Sequence, residues 1–251
     1  ESVMKRFARA FYILVFVAAF AACRGIYEKS SHSFSHYSLK QAETQANSAA
    51  VIAPYSHRLK DQMNEVISVS SAPLTRDGDQ CTLGVFVCDA LLFASPKAFA
   101  AQNTDVVMIN HGGLRNNMPQ GDITVGNIFD VMPFDNQLCL LELSGAELKR
   151  GAKAIAAKRH SIAGLKIVMR GDSVVSVMAG GKVVEDKLRY NLLTSDYLAN
   201  GGDGFSFLSK PLARYDSELK IRDALIDYCR YYKSQGKKID PYTDDRLSIT
   251  K

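Results

Sequence analysis

Apolar positions along the chain alternate between the spacing of helices and the spacing of strands. Residues 49–66 repeat apolar side chains every three or four positions, which predicts an amphipathic helix, and residues 66–73 then predict a strand. Residues 82–100 are mostly apolar and predict a buried helix that ends near Pro96. Residues 104–110 follow as a short strand, rich in β-branched side chains, which leads directly into a Gly-Gly turn.

The second half of the chain continues this alternation and adds helix-start signals. Thr124 is a candidate N-cap, and Ser144 with Glu147 forms a capping-box pattern that predicts a helix to about Lys158. Further segments are predicted as strands over residues 136–143, 164–169, 173–179, 182–184 and 188–194, and as a closing amphipathic helix over residues 217–233. The pattern favours an α+β (mixed α/β) fold, a single compact domain with a mixed sheet and flanking helices.

The first residues have the pattern of a secretory signal rather than of a folded element. A basic start at Lys5 and Arg6 precedes an uncharged apolar run over residues 11–22, which is too short to span a bilayer as a helix. Small residues then precede Cys23, as at the cleavage site of bacterial lipoproteins. Residues 1–22 are therefore predicted to be a lipoprotein-type signal peptide with lipid attachment at Cys23; ordinary signal cleavage, with this cysteine as a bystander, is the alternative.

The predicted signal sets the expected location and domain organisation. Residues 23–47 are polar and include a Ser-rich stretch, as expected of a tether, and residues 48–251 form the predicted domain. We expect an exported chain that is anchored in the membrane of a Gram-negative-type cell envelope, in the periplasm or at the cell surface. Cys88 and Cys139 lie in apolar runs and are predicted to be buried free thiols, while a disulfide between Cys81 and Cys229 stays open.

Two glycine-rich turns carry the most informative chemistry. Residues 110–115 are Asn-His-Gly-Gly-Leu-Arg, and residues 197–205 are Tyr-Leu-Ala-Asn-Gly-Gly-Asp-Gly-Phe. A guanidinium forks onto phosphate oxygens, an aromatic face stacks on a base, and glycines let the backbone approach closely. These groups suit a nucleoside or nucleoside monophosphate. The formal net charge of +5, with no long block of Lys and Arg, argues against a nucleic-acid partner.

Together with residues 81–90, four segments resemble, in order, the C-terminal substrate-binding domain of the 5'-nucleotidase and UDP-sugar hydrolase family. They are residues 110–115, 121–136, 143–148 and 197–205. The resemblance implies that Phe134 and Tyr197 sandwich the base, that Arg115 contacts phosphate, and that Asp203 binds the ribose hydroxyls. It assigns the remaining substrate-binding positions to Asn110, Gly112, Gly113, Asn136 and Gly202. Without the resemblance, Phe134 would be expected as a core aromatic, Asp203 as a turn former, and His111 as a turn histidine satisfied by backbone contacts.

Two departures from the family pattern shape the expected function. Asp79, Gln80 and Cys81 stand where family members commonly have a phosphate-contacting arginine, and Arg76 is out of step with that position. The metallophosphoesterase motifs Asp-x-His, Gly-Asn-His-Glu and Gly-His-x-His do not occur in the sequence. We therefore predict no catalytic residue, metal site or cofactor in this chain, and expect divalent metals on a separate metallophosphoesterase partner.

Three hypotheses follow from this combination of residues. The chain is the substrate-specificity part of a split 5'-nucleotidase in nucleotide catabolism, with hydrolysis carried out by the partner. Alternatively, it is a non-catalytic lipoprotein that binds a nucleoside or nucleotide. A stand-alone phosphatase with an unrecognised site is the third and least supported hypothesis, because the metal ligands are missing.

Overall fold

A computed structural model describes residues 46–77 and 81–250, with side chains from residue 51 onwards. Residues Asn47–Lys251 form one compact unit. The predicted signal peptide, almost all of the tether and the lipid-attachment residue Cys23 lie outside the described residues. In the part that is described, no helix has the length and apolar character needed to cross a bilayer.

The described residues form helices and strands in alternation. The α-helices are α1 (Ala46–Met63), α2 (Thr82–Ala98), α3 (Val125–Val131), α4 (Gly145–Ala157), α5 (Asp196–Ala199) and α6 (Ile221–Ser234). The strands are β1 (Val66–Ser70), β2 (Val106–Ile109), β3 (Gly121–Thr124), β4 (Gln137–Ser144), β5 (Ser161–Ala163), β6 (Leu165–Arg170), β7 (Ser173–Ala179), β8 (Lys182–Val183), β9 (Arg189–Ser195), β10 (Ala213–Lys220) and β11 (Leu247–Thr250). The mixed α+β fold class is confirmed.

The described strands form three sheets, the largest of which is a central mixed sheet. Five strands form the central sheet in the order β10-β4-β9-β2-β5, in which only the β2–β9 pair is parallel. A four-stranded sheet has the order β11-β6-β7-β8, and β1 pairs with β3 in a two-stranded antiparallel ribbon. The two smaller sheets were not separated from the central one by the sequence pattern.

The central sheet is buried on both faces, which explains the continuous apolar runs of its strands. Leu140 of β4 and Leu193 of β9 belong to one core cluster, with α2 and α6. The adjacent residues Leu141 and Leu192 belong to a second cluster, with α4. Because successive side chains of a strand point to opposite faces, each strand contributes to both clusters.

Local capping signals were predicted correctly at two helix starts. The Thr124 hydroxyl accepts a hydrogen bond from the Asn127 backbone N–H at 3.2 Å, and the Asn127 side chain accepts one from the Thr124 N–H at 2.9 Å. Ser144 and Glu147 form the same reciprocal arrangement before α4. Each box satisfies N–H groups that a helix start otherwise leaves unpaired.

Several predicted boundaries were wrong. Helix α1 ends at Met63 rather than near residue 66, whereas α2 ends at Ala98, close to Pro96 as predicted. The largest error concerns residues 217–220, which were assigned to the closing helix. They belong to β10, which pairs with β4, and α6 begins only at Ile221.

The cysteines are free thiols in the described structure. Cys81 is partly exposed, whereas Cys88, Cys139 and Cys229 are buried. The predicted burial of Cys88 and Cys139 is confirmed, and the open question of a Cys81–Cys229 disulfide is answered by two free thiols. Burial raises the pKa of Cys139 and of Cys229 to about 12, so both thiols stay protonated and unreactive at neutral pH.

Candidate functional site

Three strand ends bring the predicted site residues to one edge of the central sheet. The parallel neighbours β2 and β9 end at Ile109 and Ser195, so the turns that follow them leave the sheet on the same side. Strand β4 runs antiparallel to β9, with Leu138 opposite Ser195, and therefore begins at this edge. The segment before β4, which carries Phe134, is placed beside the two glycine-rich turns as a result.

Asp203 is the polar centre of this edge. Its carboxylate accepts a hydrogen bond from Asn110 Nδ2 at 2.7 Å and another from the Tyr197 hydroxyl at 2.9 Å. Burial by itself would raise the pKa of Asp203, but the hydrogen bonds from Tyr197 and Asn110, together with nearby positive charge, outweigh it and hold the pKa below its usual value. Asp203 is thus an ionised acceptor that unites the turns after β2 and β9.

The backbone of the second turn holds Tyr197 close to Asp203. The Asp203 N–H donates to the Tyr197 hydroxyl at 3.2 Å, and Asp203 has a φ of 52°, in the left-handed region that Asp tolerates better than most residues. A Cβ on Gly202 would lie 2.5 Å from two ring carbons of Tyr197. Gly202 is required here because the ring packs directly on the backbone.

The Asn136 side chain connects the segment before β4 to the Tyr197 turn. Its Nδ2 donates to Asp196 Oδ1 at 2.9 Å, and the Gln137 backbone N–H donates to the same oxygen at 3.2 Å. Asp196 in turn accepts from the Tyr197 N–H at 2.8 Å. Asn136 therefore positions neighbouring segments and has one amide hydrogen bond already satisfied within the protein.

Phe134 and Tyr197 are surface aromatics rather than core residues. Phe134 is 40% exposed and Tyr197 is 45% exposed, although large aromatic side chains are usually mostly buried. The guanidinium of Arg115 lies over the Phe134 ring at 5.5 Å, and its Nη1 donates to the Gly112 carbonyl at 3.2 Å. The site therefore has two partly exposed rings, Phe134 beneath a cation and Tyr197 bonded to Asp203, on the segments that meet at this edge.

The first turn is shaped by contacts of Asn110. A Cβ on Gly113 would lie 2.9 Å from Asn110 Oδ1, so a side chain there would disturb the Asn110 amide that donates to Asp203. Gly112 has more room, since its nearest neighbour would be 3.7 Å away. All nine residues predicted to bind substrate therefore lie on the three segments that meet at this edge, and their individual binding roles stay predictions.

His111 makes different contacts from those expected of a turn histidine satisfied by backbone groups. Its ring Nε2 lies 3.1 Å from Nη2 of Arg76 and 3.3 Å from Oδ1 of Asp77. Arg76, which is out of step in the sequence, also donates from Nη1 to the Arg115 carbonyl at 3.2 Å. The Arg76 guanidinium thus buttresses the Arg115 turn and is engaged in contacts within the protein.

Arg222 is a buried supporting residue that the sequence did not indicate. It lies in the first turn of α6, stacks over the Phe129 ring at 4.0 Å and forms an ion pair with Asp135. Lys220 lies 3.0 Å from the same carboxylate, and hydrogen bonds from Lys220 and then Arg222 lower the pKa of Asp135. By pairing with Asp135, these two cations fix the position of the residue next to Phe134. No sequence motif marks this network, because its partners are remote along the chain.

The groups at this edge are of kinds that bind organic ligands. Among residues 51–77 and 81–250, no group of three or more His, Cys, Asp or Glu side chains could hold a metal ion. The Asp203 carboxylate is flanked by amide and phenol donors, whereas a metal site needs several acceptor ligands. An exposed aromatic ring can stack a base, and an ionised carboxylate can accept hydrogen bonds from hydroxyls.

Sequence comparisons find relatives that are longer than this chain. It is 28% identical over 188 residues to a 5'-nucleotidase of Vibrio parahaemolyticus, a match that covers 70% of this chain and 32% of the relative. It is 26% identical over 197 residues to a human 5'-nucleotidase, with 68% and 34% of the two chains covered. The chain therefore spans about a third of the length of these relatives.

The fold and the family model agree with these relatives. A crystal structure of a 5'-nucleotidase precursor from Thermus thermophilus superimposes with a TM-score of 0.69 at 22% identity, over 81% of this chain and 43% of that one. The family model for the 5'-nucleotidase C-terminal domain matches residues 63–210, which is more than half of the chain. This chain belongs to the 5'-nucleotidase C-terminal domain family.

Proposed function

We propose that this chain is the substrate-specificity part of a 5'-nucleotidase and binds a nucleoside monophosphate for a separate metallophosphoesterase chain that hydrolyses it. The observation that supports the proposal is the Asn110–Asp203–Tyr197 network, at the edge where the segments that carry the exposed rings of Phe134 and Tyr197 meet. It provides stacking faces and ionised acceptors at the edge where both glycine-rich turns meet. Hydrolysis itself needs a metal-activated nucleophile, for which the described residues offer no ligand cluster.

Each group has a defined task in this proposal. The base stacks between Phe134 and Tyr197, where stacking contributes about 1–3 kcal/mol per base. One Asp203 carboxylate oxygen accepts a hydrogen bond from Asn110 and the other accepts one from Tyr197. Each oxygen has a second lone pair that can accept from a ribose hydroxyl. Arg115 has Nη1 on the Gly112 carbonyl and keeps its other N–H donors for phosphate oxygens.

A mixing assay tests whether substrate binding and hydrolysis are divided between two chains. The chain is added to an exported metallophosphoesterase from the same organism that lacks such a domain, and phosphate release from AMP and from p-nitrophenyl phosphate is measured. We expect kcat/KM for AMP to rise while the generic ester is unaffected. Tyr197→Ala should abolish the gain, and Tyr231→Ala, which alters a similarly exposed tyrosine (43%) on α6, should preserve it. Unchanged turnover and substrate range on mixing would refute the proposal.

A second function is favoured by the state of the cations. Arg76 is bonded to the Arg115 carbonyl and paired with Asp77, so of these two arginines Arg115 is the one left to contact a phosphate. A nucleoside needs fewer cations than a monophosphate, which fits a non-catalytic nucleoside-binding protein. Calorimetry with AMP and adenosine separates the two functions. Tighter binding of AMP supports the nucleotidase role, and a clear preference for adenosine supports capture without hydrolysis.

A further inference from the structure

The three residues that connect α4 to β5 lie beside the first glycine-rich turn. Residues 158–160 (the 158–160 segment) follow Ala157 at the end of α4 and precede Ser161 at the start of β5. Strand β5 pairs antiparallel with β2, and the last pair of this ladder joins Ile109 to Ser161. Because the two strands run in opposite directions, the 158–160 segment lies next to the turn that follows β2.

A Schellman motif at the end of α4 gives the 158–160 segment its shape. The His160 N–H donates to the Ile155 carbonyl at 3.0 Å, and the Arg159 N–H donates to the Ala156 carbonyl at 3.1 Å. These two hydrogen bonds define the motif, in which the residue after the helix cap has a left-handed backbone. Arg159 takes that position with a φ of 51°, although glycine is the usual residue there. The motif satisfies carbonyl groups at the end of α4 and leaves the side chains of Lys158 and His160 to contact other elements.

His160 connects the 158–160 segment to the first glycine-rich turn. Its side chain is buried, and its Nδ1 accepts a hydrogen bond from the His111 backbone N–H at 3.2 Å. Burial lowers the pKa of His160 to about 4, so the ring is neutral at neutral pH and Nδ1 keeps the lone pair that this bond needs. His111 follows Asn110, whose amide donates to Asp203, so the contact holds the backbone next to the Asn110–Asp203 hydrogen bond.

Further contacts connect the same segment to the second glycine-rich turn. The Lys158 ammonium group donates to the Asp203 carbonyl and lies 5.5 Å from the centre of the Phe205 ring. The His160 ring also packs on Phe205, with the two ring centroids 5.1 Å apart. The 158–160 segment therefore contacts both of the turns that are joined by the Asp203 carboxylate.

The pairing of β2 with β9 stops before the two turns begin. Val107 with Leu193 is the last pair of this ladder, two residues before the end of each strand. The Asn110–Asp203 hydrogen bond of 2.7 Å crosses from one turn to the other, and a small change in their spacing would break it. Contacts beyond the ladder therefore contribute to the spacing of the turns.

We propose that the 158–160 segment sets the spacing of the two glycine-rich turns, with His160 and Lys158 as positioning residues of the nucleoside site. The inference rests on the proposed function, because it concerns the ligand that the two turns share. His160 acts on the first turn through the His111 N–H, and Lys158 acts on the second through the Asp203 carbonyl. Loss of either hydrogen bond should weaken nucleoside binding without removing a group that contacts the ligand.

Calorimetry with adenosine on His160→Leu and His160→Asn tests the role of His160. Both substitutions remove the ring that packs on Phe205, but only asparagine keeps an acceptor near the position of Nδ1. We expect His160→Leu to weaken adenosine binding by at least about tenfold, and His160→Asn to stay within about threefold of the wild type. Equal affinities of the two variants would mean that the acceptor has no role and would overturn the proposal.

Lys158→Met tests the second contact and covers a failure of the His160 variants to fold, because Lys158 is exposed. Methionine keeps an apolar stem but loses the ammonium donor to the Asp203 carbonyl. We expect adenosine and AMP binding to weaken by the same factor, at least about threefold, because Lys158 acts on the turn and not on the phosphate. Lys153→Met, which alters another exposed lysine on α4, is the matched control and should bind both ligands like the wild type. A loss confined to AMP, or no loss, would overturn the proposal.

NMR spectroscopy of the protein without ligand tests the segment independently of nucleoside binding. The Asn110 side-chain amide donates to Asp203 across the two turns, so its proton and nitrogen chemical shifts report on their spacing. We expect these shifts to move towards those of a free amide in His160→Leu and Lys158→Met, and to stay close to the wild-type values in His160→Asn. Wild-type shifts in all three variants would overturn the proposal. If the wild type binds neither adenosine nor AMP, the proposed function fails, and the shifts still decide whether the segment spaces the turns.

Discussion

Phe134 and Tyr197 are each held by a contact within the protein, and each keeps a large part of its side chain exposed. Phe134 lies under the Arg115 guanidinium, and Tyr197 is fixed by its hydroxyl to Asp203. Rings that are held in place but partly exposed lose little conformational entropy when a base stacks on them. We expect nucleoside affinity to depend mainly on the exposed ring faces of these two residues.

We predict that Phe134→Ala and Tyr197→Ala each weaken adenosine binding by roughly 1–3 kcal/mol, because each removes one stacking face. Phe93→Ala is the control, since Phe93 of α2 is 43% exposed but lies on another surface. Calorimetry gives the affinities, and thermal unfolding shows whether the fold persists. Affinities equal to that of the wild type, or variants that no longer fold, would contradict the assignment of these rings to the ligand.

His160 should make folding stability depend on pH. Burial lowers the pKa of His160 from 6.5 to about 4, so the folded protein keeps the ring neutral while the unfolded chain binds a proton below about pH 6.5. Because the unfolded state binds more protons in this interval, stability falls as the pH falls. We predict a loss of up to about 3 kcal/mol from this group between about pH 6.5 and pH 4.

Urea unfolding of the wild type and His160→Gln at several pH values measures this contribution. Other groups also titrate on acidification, so the informative quantity is the difference between the two curves. Glutamine cannot bind the extra proton and should give the shallower dependence between pH 6.5 and 4. Parallel curves would show that His160 is not held neutral by burial.

At the scale of elements, local signals were predictable and pairing partners were not. The helix starts after Thr124 and Ser144 followed from side chains three residues apart, which a sequence displays directly. The pattern of polar and apolar residues does not change between residues 217–220 and α6, so the local sequence does not mark where β10 ends and α6 begins. Their strand conformation depends on hydrogen bonds with β4, a partner about 80 positions away.

The turn after α5 offers an element-scale test of how the backbone positions the Tyr197 ring. Gly202→Ala would place a Cβ 2.5 Å from two ring atoms of Tyr197 and 2.6 Å from its carbonyl oxygen. Because the backbone atom cannot move away cheaply, we predict that the turn shifts and that adenosine affinity falls by at least about tenfold.

Gly112→Ala changes another predicted substrate-binding glycine and serves as a control only for the packing against Tyr197, because the protein leaves room for a Cβ there. Its added Cβ would have no neighbour nearer than 3.7 Å, an ordinary van der Waals contact. We therefore expect the control to keep adenosine affinity within about threefold of the wild type, well under 1 kcal/mol. Equal affinities for the two variants would show that the Tyr197 ring does not need the close packing on residue 202.

At the scale of the whole molecule, the two core clusters share the strands of the central sheet. Adjacent residues of β4 and β9 point into opposite clusters, so neither core can open while the other keeps its strands in place. We predict one cooperative unfolding transition. Cys88 and Cys229 report on one cluster and Cys139 reports on the other, because all three thiols are buried.

Pulsed thiol labelling across a urea series tests this prediction. Mass spectrometry of labelled peptides should give the same urea midpoint for Cys88, Cys139 and Cys229. A reductant should leave the midpoint unchanged, because these thiols are free. Separate midpoints for Cys139 and Cys229 would show that the two cores unfold independently.

The candidate site was predictable in its residues and only partly in its architecture. The turns after β2 and β9 were identified from Arg115, Tyr197 and their glycines, because ligand-contacting groups cluster in the sequence. The parallel pairing that makes the turns neighbours is a tertiary property. Arg76 and Arg222 were missed as supports for the same reason: each acts through partners that only the folded chain brings near.

Because β2 and β9 are parallel neighbours, the two turns that follow them can change without a change in the sheet. The hydrogen bonds between β2 and β9 all lie before the turns. The paired side chains of the two strands are buried. Loop grafting at residues 110–115 and 197–203, together with the segment that carries Phe134, should therefore change ligand preference while the sheet stays intact.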